Sequence, residues 1–300
     1  MDRFDAMRVF TRIVERRSFT KAADDLSLPR SSVTDAVQGL EARLGVRLLQ
    51  RTTRQVSPTL DGEAYYQRCV SLIADLEDAE GAFVGAKPSG LIRVDVHGTQ
   101  ARHFLLPGLP RFREMYPDIR LHFSEAHQPV DLIREGFDCI LRAGELADSA
   151  LIRRRLAILE RGTFATPDYL KRLGTPNTPD DLNGHEMIGL LAPDTTEVVP
   201  LAFLVKGKVN RITLPAMMTV TGPETNVAAA GLGLGLIQVP RYRVVSELAS
   251  GALIEVLANF PPTPLPVHAL YSHKHQLSPR LRVFIDWVAE QFRDKTAPKI

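Results

Sequence analysis

The chain has 300 residues, 44% of them hydrophobic and 24% charged, which suits two or three folded domains and excludes a disordered chain. The 37 Lys and Arg nearly balance the 35 Asp and Glu, and that total by itself speaks against a protein coated in positive charge. No apolar run approaches the roughly 18 residues of a membrane span, no secretion signal is legible at the start, and two cysteines, Cys69 and Cys139, are too few for a disulfide framework and predict a reducing, cytoplasmic setting.

The charge is unevenly spread. Residues 1–60 hold 11 Lys and Arg against 7 Asp and Glu, an excess of +4, so the other 240 residues sum to −2. Three helical patterns fill this basic segment. Phe4, Met7, Phe10 and Val14 predict one helix face, ending near Arg16-Arg17. Ser18 is placed to cap a second helix, whose buried side holds Ala22, Ala23 and Leu26. After Ser27-Leu28, Pro29 fits the first turn of a third helix. Its inner face is Val33, Val37, Leu40 and Leu44, and Gly45 ends it.

Two helices joined so tightly read as a helix-turn-helix. Arg30, Ser31, Ser32, Thr34, Asp35 and Gln38 are left outward on the third helix. In that motif this half enters the major groove, where hydroxyls, amides and guanidiniums meet base edges. Helix spacing alone fits a plain three-helix bundle equally well. The next stretch decides between them. Leu48, Leu49 and Val56 frame a short hairpin carrying Arg51, Thr52, Thr53 and Arg54, a wing suited to phosphate oxygens.

Three stretches now resemble the LysR-type transcriptional regulators. They are Ser18-Phe19-Thr20-Lys21-Ala22-Ala23-Asp24-Asp25-Leu26, Leu40-Glu41-Ala42-Arg43-Leu44-Gly45-Val46-Arg47-Leu48-Leu49-Gln50-Arg51-Thr52-Thr53-Arg54, and Thr59-Leu60-Asp61-Gly62. The resemblance implies a winged helix-turn-helix over residues 1–60, with the third helix as reader and Ser18, Thr20, Arg51, Thr53 and Arg54 among its DNA contacts. The chain departs from the family at Pro29-Arg30, where Ser-Gln is usual, and at Asp35, where a base is common. A carboxylate accepts from cytosine but repels phosphate, so the operator of relatives does not transfer.

Tyr65, Cys69, Leu72, Leu76, Ala79 and Phe83 follow at spacings of four and three, an a/d seam. About 25 helical residues within 61–87 span roughly 37 Å. Such a stripe needs a partner, either the same helix of a second chain or the chain's own body. The resemblance implies the former, a linker helix that pairs two heads. Lys87-Pro88-Ser89-Gly90 then breaks the helix.

Residues 88–300 alternate strand and helix and predict an α/β domain. Leu91–Val96 reads as a strand, His97–Gln100 as a turn, Phe104–Met115 as helix and Ile119–Phe123 as strand. Leu106-Pro107, Arg113–Pro117, Gly136–Ile140 and Ala228–Gly233 resemble the family's effector domain. That domain looks like a type-2 periplasmic binding protein, two α/β lobes joined by two crossovers around a cleft. With crossovers near 162–166 and 263–270, lobe one is 91–162 plus 268–300 and lobe two is 163–267. Thr99, Gln100, His127, Arg142, Phe164 and Thr221 are then candidate effector contacts. Thr166 and the turn through Glu224 would complete the facing wall. Arg142 suits a carboxylate and Phe164 an aromatic ring. Each has a plainer reading: Thr99 as a helix cap, Arg142 as surface charge, Phe164 as core.

The whole is α/β, with an N-terminal all-α winged helix-turn-helix, a long linker helix and a two-lobed effector domain. The expected partners are double-stranded DNA at an imperfect palindrome, a small effector, a second copy in a dimer or tetramer, and RNA polymerase, with no membrane and no cofactor. An enzyme is the rival. However, there is no nucleophile elbow, Walker A loop or zinc-binding His-Glu-x-x-His helix, and Gly231-Leu232-Gly233-Leu234-Gly235 is not a dinucleotide fingerprint. His268, His273 and His275 lack a Cys or acidic partner at metal-ligand spacing. A solute-binding protein without a DNA role would leave residues 1–87 without a task.

Overall fold

A computed structural model describes residues 1–51, 56–84, 87–125, 132–144, 151–192, 197–272 and 278–296. Its first elements are α1 (Arg3–Arg16), α2 (Phe19–Leu26) and α3 (Arg30–Leu44), then β1 (Leu49–Arg51) and β2 (Val56–Pro58) as an antiparallel hairpin, then α4 (Leu60–Val84). Asp2 caps α1 by accepting from the Asp5 N–H at 2.8 Å. The buried stripe of α1 is Ala6, Val9, Phe10 and Ile13. The predicted stripe is therefore turned on the helix: Phe10 is central, while Phe4, Met7 and Val14 are half-buried. On α2 and α3 the expected inner residues are in place, except that Leu26 is half-buried and Leu44, at the last position of α3, is exposed. Pro29 sits one position earlier than expected, as the N-cap of α3, and Gly45 closes that helix at φ 72°.

The body opens with β3 (Gly90–Val96) and a helical stretch from Gly98. The expected turn at His97–Gln100 is instead a helix start, α5 (Gly98–Gln100), with the His97 ring accepting from the Thr99 N–H at 3.2 Å. A wide turn over Ala101–Leu105 and a tight one over Leu106–Gly108 lead into α6 (Leu109–Met115). Pro107 and Pro110 deprive this stretch of two amide donors, so it does not run as one α-helix. Then come β4 (Ile119–Ser124), α7 (Leu132–Glu135), β5 (Cys139–Ala143) and β6 (Ile152–Leu159). Next are β7 (Arg161–Ala165), α8 (Pro167–Leu173), β8 (Gly189–Leu190), β9 (Leu201–Val205), β10 (Lys208–Ile212) and β11 (Thr219–Val220). The chain closes with α9 (Pro223–Gly231), β12 (Ile237–Pro240), α10 (Val245–Ser250), β13 (Ile254–Val256), β14 (Leu265–Tyr271) and α11 (Pro279–Thr296).

Two separate layers of sheet define two lobes. The five-stranded sheet runs β4-β3-β5-β14-β6, with β3 parallel to β4 and β5, and β14 antiparallel to β5 and β6. Helix α11 packs on it through Phe284, Ile285, Val288 and Phe292, the last stacked on Phe104 at 4.2 Å between ring centres. The second lobe holds β12-β7-β13, the β9–β10 hairpin and the short β8–β11 pair. The chain passes between lobes at Glu160 and over 257–264. Arg161 already pairs with Pro240 of lobe two, and Leu265 already pairs with Leu159 of lobe one. The expected passages at 162–166 and 263–270 therefore run a few residues late: β7 lies wholly in lobe two and β14 wholly in lobe one. No helix among the described residues is long and apolar enough to cross a membrane.

Candidate nucleic-acid interface and ligand cleft

The reading helix is fixed from behind. Ser18 Oγ accepts from the Lys21 N–H at 3.3 Å and starts α2. Ser27, at φ 53°, turns the chain toward α3. Val33, Ala36, Val37 and Leu40 bury the inner side of α3 against the head core. This leaves Arg30, Ser31, Asp35 and Gln38 exposed and Ser32 and Thr34 half-buried, with Thr20 exposed on α2. Thr34 spends its hydroxyl proton on the Arg30 carbonyl at 3.0 Å, so it retains only acceptor capacity toward a base edge. Elsewhere on the head, Arg16 grips Asp25 with two bonds of 2.5 and 3.1 Å. That hydrogen bonding holds the Asp25 carboxyl below its usual range and raises Arg16. Arg12 reaches Glu15 at 3.2 Å. These two guanidiniums are answered by carboxylates of the head itself, so the attraction for phosphate falls to the remaining bases.

The wing is anchored by Glu41, which the sequence did not mark as a functional position. Glu41 Oε1 accepts from the N–H groups of both Leu48, at 2.8 Å, and Leu49, at 3.1 Å. The only cue was an acid inside the stretch that resembles the family. Thr59 ties the far side: its N–H donates to the Leu48 carbonyl at 3.0 Å and its Oγ1 accepts from the Gly62 N–H at 2.9 Å. Arg51 lies on β1, opposite Val56. Thr53 and Arg54 fall outside the described residues, as does the Arg51 side chain.

The predicted seam of α4 divides. Cys69 is wholly buried in its own head, and Tyr65 packs on Phe10 with ring centres 5.5 Å apart. Burial pushes the Cys69 thiol up to about 11 and the Tyr65 hydroxyl up to about 12. These two positions are thus core, not partner surface, because α4 starts by lying across α1. Leu72 and Leu76 remain 47% and 39% exposed, an apolar stripe that the head does not cover. The side chains of Ala79 and Phe83 fall outside the described residues.

Between the lobes lies a cleft of about 300 Å³. Thr99 is the predicted contact that lines it. Its Oγ1 stands 2.9 Å from the His97 ring and 2.9 Å from the Tyr242 hydroxyl of lobe two. The other contacts differ from expectation. Arg142 forms a 2.6 Å ion pair with Asp95, which has no exposed surface, so a buried carboxylate already claims it. Phe164 is fully buried in the lobe-two core. Thr166 caps α8 by accepting from the Tyr169 N–H at 3.2 Å. Gln100 is 2% exposed and does not line the cleft, although its Oε1 has no hydrogen-bond partner among the described residues. Thr221 is exposed just before α9, whereas Pro223 and Glu224 beyond it do line the cleft. His127 falls outside the described residues.

The lining that the sequence did not reveal comes from three distant segments: Arg102 and His103, Val227 and Ala228, and Tyr242, Arg243 and Glu247. Several of its contacts cross from lobe to lobe. Arg102 Nη2 donates to Glu224 Oε1 at 2.6 Å. The Tyr242 ring lies 5.1 Å from that of His103 and 5.0 Å from that of Phe104. The cleft is thus held in its present shape by polar contacts that a ligand or water can replace. Among the described residues no group of three or more His, Cys, Asp or Glu could hold a metal ion. His268 is half-buried on β14, and His273 and His275 fall outside the described residues.

Comparison with known proteins covers both parts. Residues 4–63 match the family described as bacterial regulatory helix-turn-helix protein, lysR family, and residues 85–293 match the LysR substrate binding domain. The chain is 38% identical over 294 residues to the uncharacterized HTH-type transcriptional regulator YhjC of Escherichia coli K12, covering 96% of this chain and 97% of that one. It is 35% identical to an HTH-type transcriptional repressor of Pseudomonas aeruginosa, covering 98% and 93%. Among solved structures it resembles CrgA, a LysR-type transcriptional regulator from Neisseria meningitidis, with 33% identity, a TM-score of 0.61 and coverage of 96% and 98%.

Proposed function

Because the chain belongs to the LysR family of transcriptional regulators, and is a DNA-binding regulator with an effector domain and not an enzyme, we propose how its parts divide that work. Residues 1–60 are the reading head, 61–87 the connector and 88–300 the sensor. Two heads, paired through the connectors, bind successive major grooves of an imperfect palindrome with half-sites about one turn apart. Arg30, Ser31, Ser32, Thr34, Asp35 and Gln38 meet base edges. Ser18, Thr20, Arg51, Thr53 and Arg54 meet phosphate. Leu72, Leu76, Ala79 and Phe83 form the seam of a dimer, which can pair again into a tetramer. The protein works in the cytoplasm and contacts RNA polymerase from the bound site.

The observation that carries this reading is the polar, exposed half of α3, backed by a sealed core. That face presents Arg30, Ser31, Asp35 and Gln38 together to solvent, a set of donors and acceptors that suits base edges. The effector is a small carboxylate or aromatic molecule in the cleft beside Thr99. It acts through its different affinity for two lobe arrangements, since the bonds from Thr99 to Tyr242 and from Arg102 to Glu224 span the lobes and a change of lobe angle would break them.

The test is anisotropy with duplex DNA flanking the protein's own gene. Binding should be much tighter than to random duplex and steeply salt-dependent. Replacing Arg51 and Arg54 with Ala should weaken all sequences alike and reduce the salt slope by about 0.9 for each phosphate that is no longer neutralised. Equal affinity for random duplex would defeat the reading.

A further inference from the structure

The two guanidiniums that line the cleft are in opposite situations. Arg102 is answered by Glu224 at 2.6 Å. Arg243 has no carboxylate within ion-pair distance among the described residues. Its Nε donates to the Tyr242 hydroxyl at 3.3 Å, and its guanidinium lies 5.8 Å from the centre of the Tyr242 ring. Glu247 shares the rim, but its carboxylate accepts from Ser246 Oγ at 2.8 Å.

A second arginine lies close to Arg243 in the fold, because Arg161 pairs in register with Pro240, three residues before Arg243. Arg161 opens β7, at the passage between lobes, and among the described residues it reaches only Gln238 Oε1, at 3.5 Å. Burial and the like charge of Arg243 together lower its pKa. Neither guanidinium has a carboxylate partner among the described residues, and burial beside a like charge makes the charged form of Arg161 costly. An anion removes that cost and gains charge-assisted bonds in one step. The surrounding wall is apolar at Pro223, Val227 and Ala228, which suits an organic body and not a bare inorganic ion.

We propose that the effector is a small organic acid whose carboxylate is held by Arg243, with Arg161 reinforcing the charge nearby, while Glu224 keeps Arg102 out of the competition. This rests on the cleft being the effector site, and it replaces the sequence expectation that Arg142 would take the acid. Arg243 is then a specificity residue: it separates an acid from its neutral amide.

The experiment is a thermal-shift and calorimetric screen of the full chain with small aliphatic and aromatic monocarboxylates, each paired with its amide. Acids should stabilise the protein by mass action, and their amides should not. Arg243→Gln should weaken the best acid roughly tenfold to a hundredfold, with Arg243→Lys between. Arg161→Gln should weaken it less, and Arg102→Gln least. Circular dichroism and DNA binding confirm that each variant folds. The proposal falls if no acid binds, if amides bind as well as acids, if Arg243→Gln binds normally, or if the weakening is confined to Arg102→Gln. Ala228→Trp, which fills the cleft, separates the two layers. An amide that binds the parent but not this variant keeps the cleft and sinks the acid; ligand binding indifferent to the variant sinks the cleft as well.

Discussion

Gly62 sets the approach of α4 to the wing. A Cβ built there would lie 1.9 Å from the Leu48 carbonyl oxygen and 2.8 Å from its carbon. The nearest atoms are backbone, so no side chain can swing aside, and α4 must retreat by about 1 Å to restore ordinary packing distance. Retreat stretches the bond from Thr59 N–H to the Leu48 carbonyl, now 3.0 Å, and loosens Cys69 and Tyr65 in the head core. Overpacking costs about 1–3 kcal/mol, and so close an approach to backbone puts this case at the upper end, about 2–3 kcal/mol. The gain of about 1 kcal/mol from replacing a helical Gly by Ala offsets only part of it. Gly39 provides the control: it sits inside α3 with no atom within 4 Å of a built Cβ. Gly39→Ala should therefore stabilise the head by about 0.5–1 kcal/mol, and Gly62→Ala should destabilise it by about 1–2 kcal/mol. Urea unfolding followed by far-ultraviolet circular dichroism measures both, while fluorescence of the lone Trp287, in the body, should shift in neither. A Gly62→Ala head as stable as the parent would refute the steric argument. Since α4 also aims the head, its DNA affinity should fall as well.

Glu41→Ala leaves the Leu48 and Leu49 N–H groups without their acceptor, so it should cost about 1–3 kcal/mol in urea unfolding and weaken binding to every duplex. Leu72→Lys with Leu76→Lys should yield a folded monomer in sedimentation, because these two side chains lie outside the head core; an intact dimer would place the interface elsewhere. Asp25, held low chiefly by its hydrogen bonds to Arg16, should stabilise the head above the ordinary carboxylate pKa of about 4. It should lose that contribution as the pH falls through its lower folded value. An Asp25→Asn variant whose acid unfolding curve overlays the parent would remove it. Native Cys69 and Cys139 should resist thiol reagents at pH 8 until urea unfolds the chain. Burial raises both thiols, Cys69 to about 11, so only about one Cys69 in a thousand is thiolate at that pH.

Charge asymmetry, the three helical patterns, the Ser18 cap and the Gly45 stop were all legible in the sequence, and so was the family. These features are local: a cap, a stripe or a turn is set by residues three or four apart, and the alternation of strand and helix reports the α/β body in the same way. The sequence could not tell which side of the α4 seam meets which partner. Tyr65 and Cys69 share the 3–4 spacing of Leu72 and Leu76, yet only the crossing of α4 over α1 puts the first pair in the core. Nor could it place the cleft. Phe164 lies on β7, where residues 162–165 are all buried and both faces are therefore covered, so period-two alternation gives no inward or outward cue. Arg142 looked available because Asp95, its partner, is 47 residues away in sequence and meets it only through the pairing of β3 with β5. The residues that face the cleft, Arg102, Tyr242 and Arg243, come from segments some 140 residues apart. Two passages of the chain between the lobes bring them together, and no local pattern records that closure.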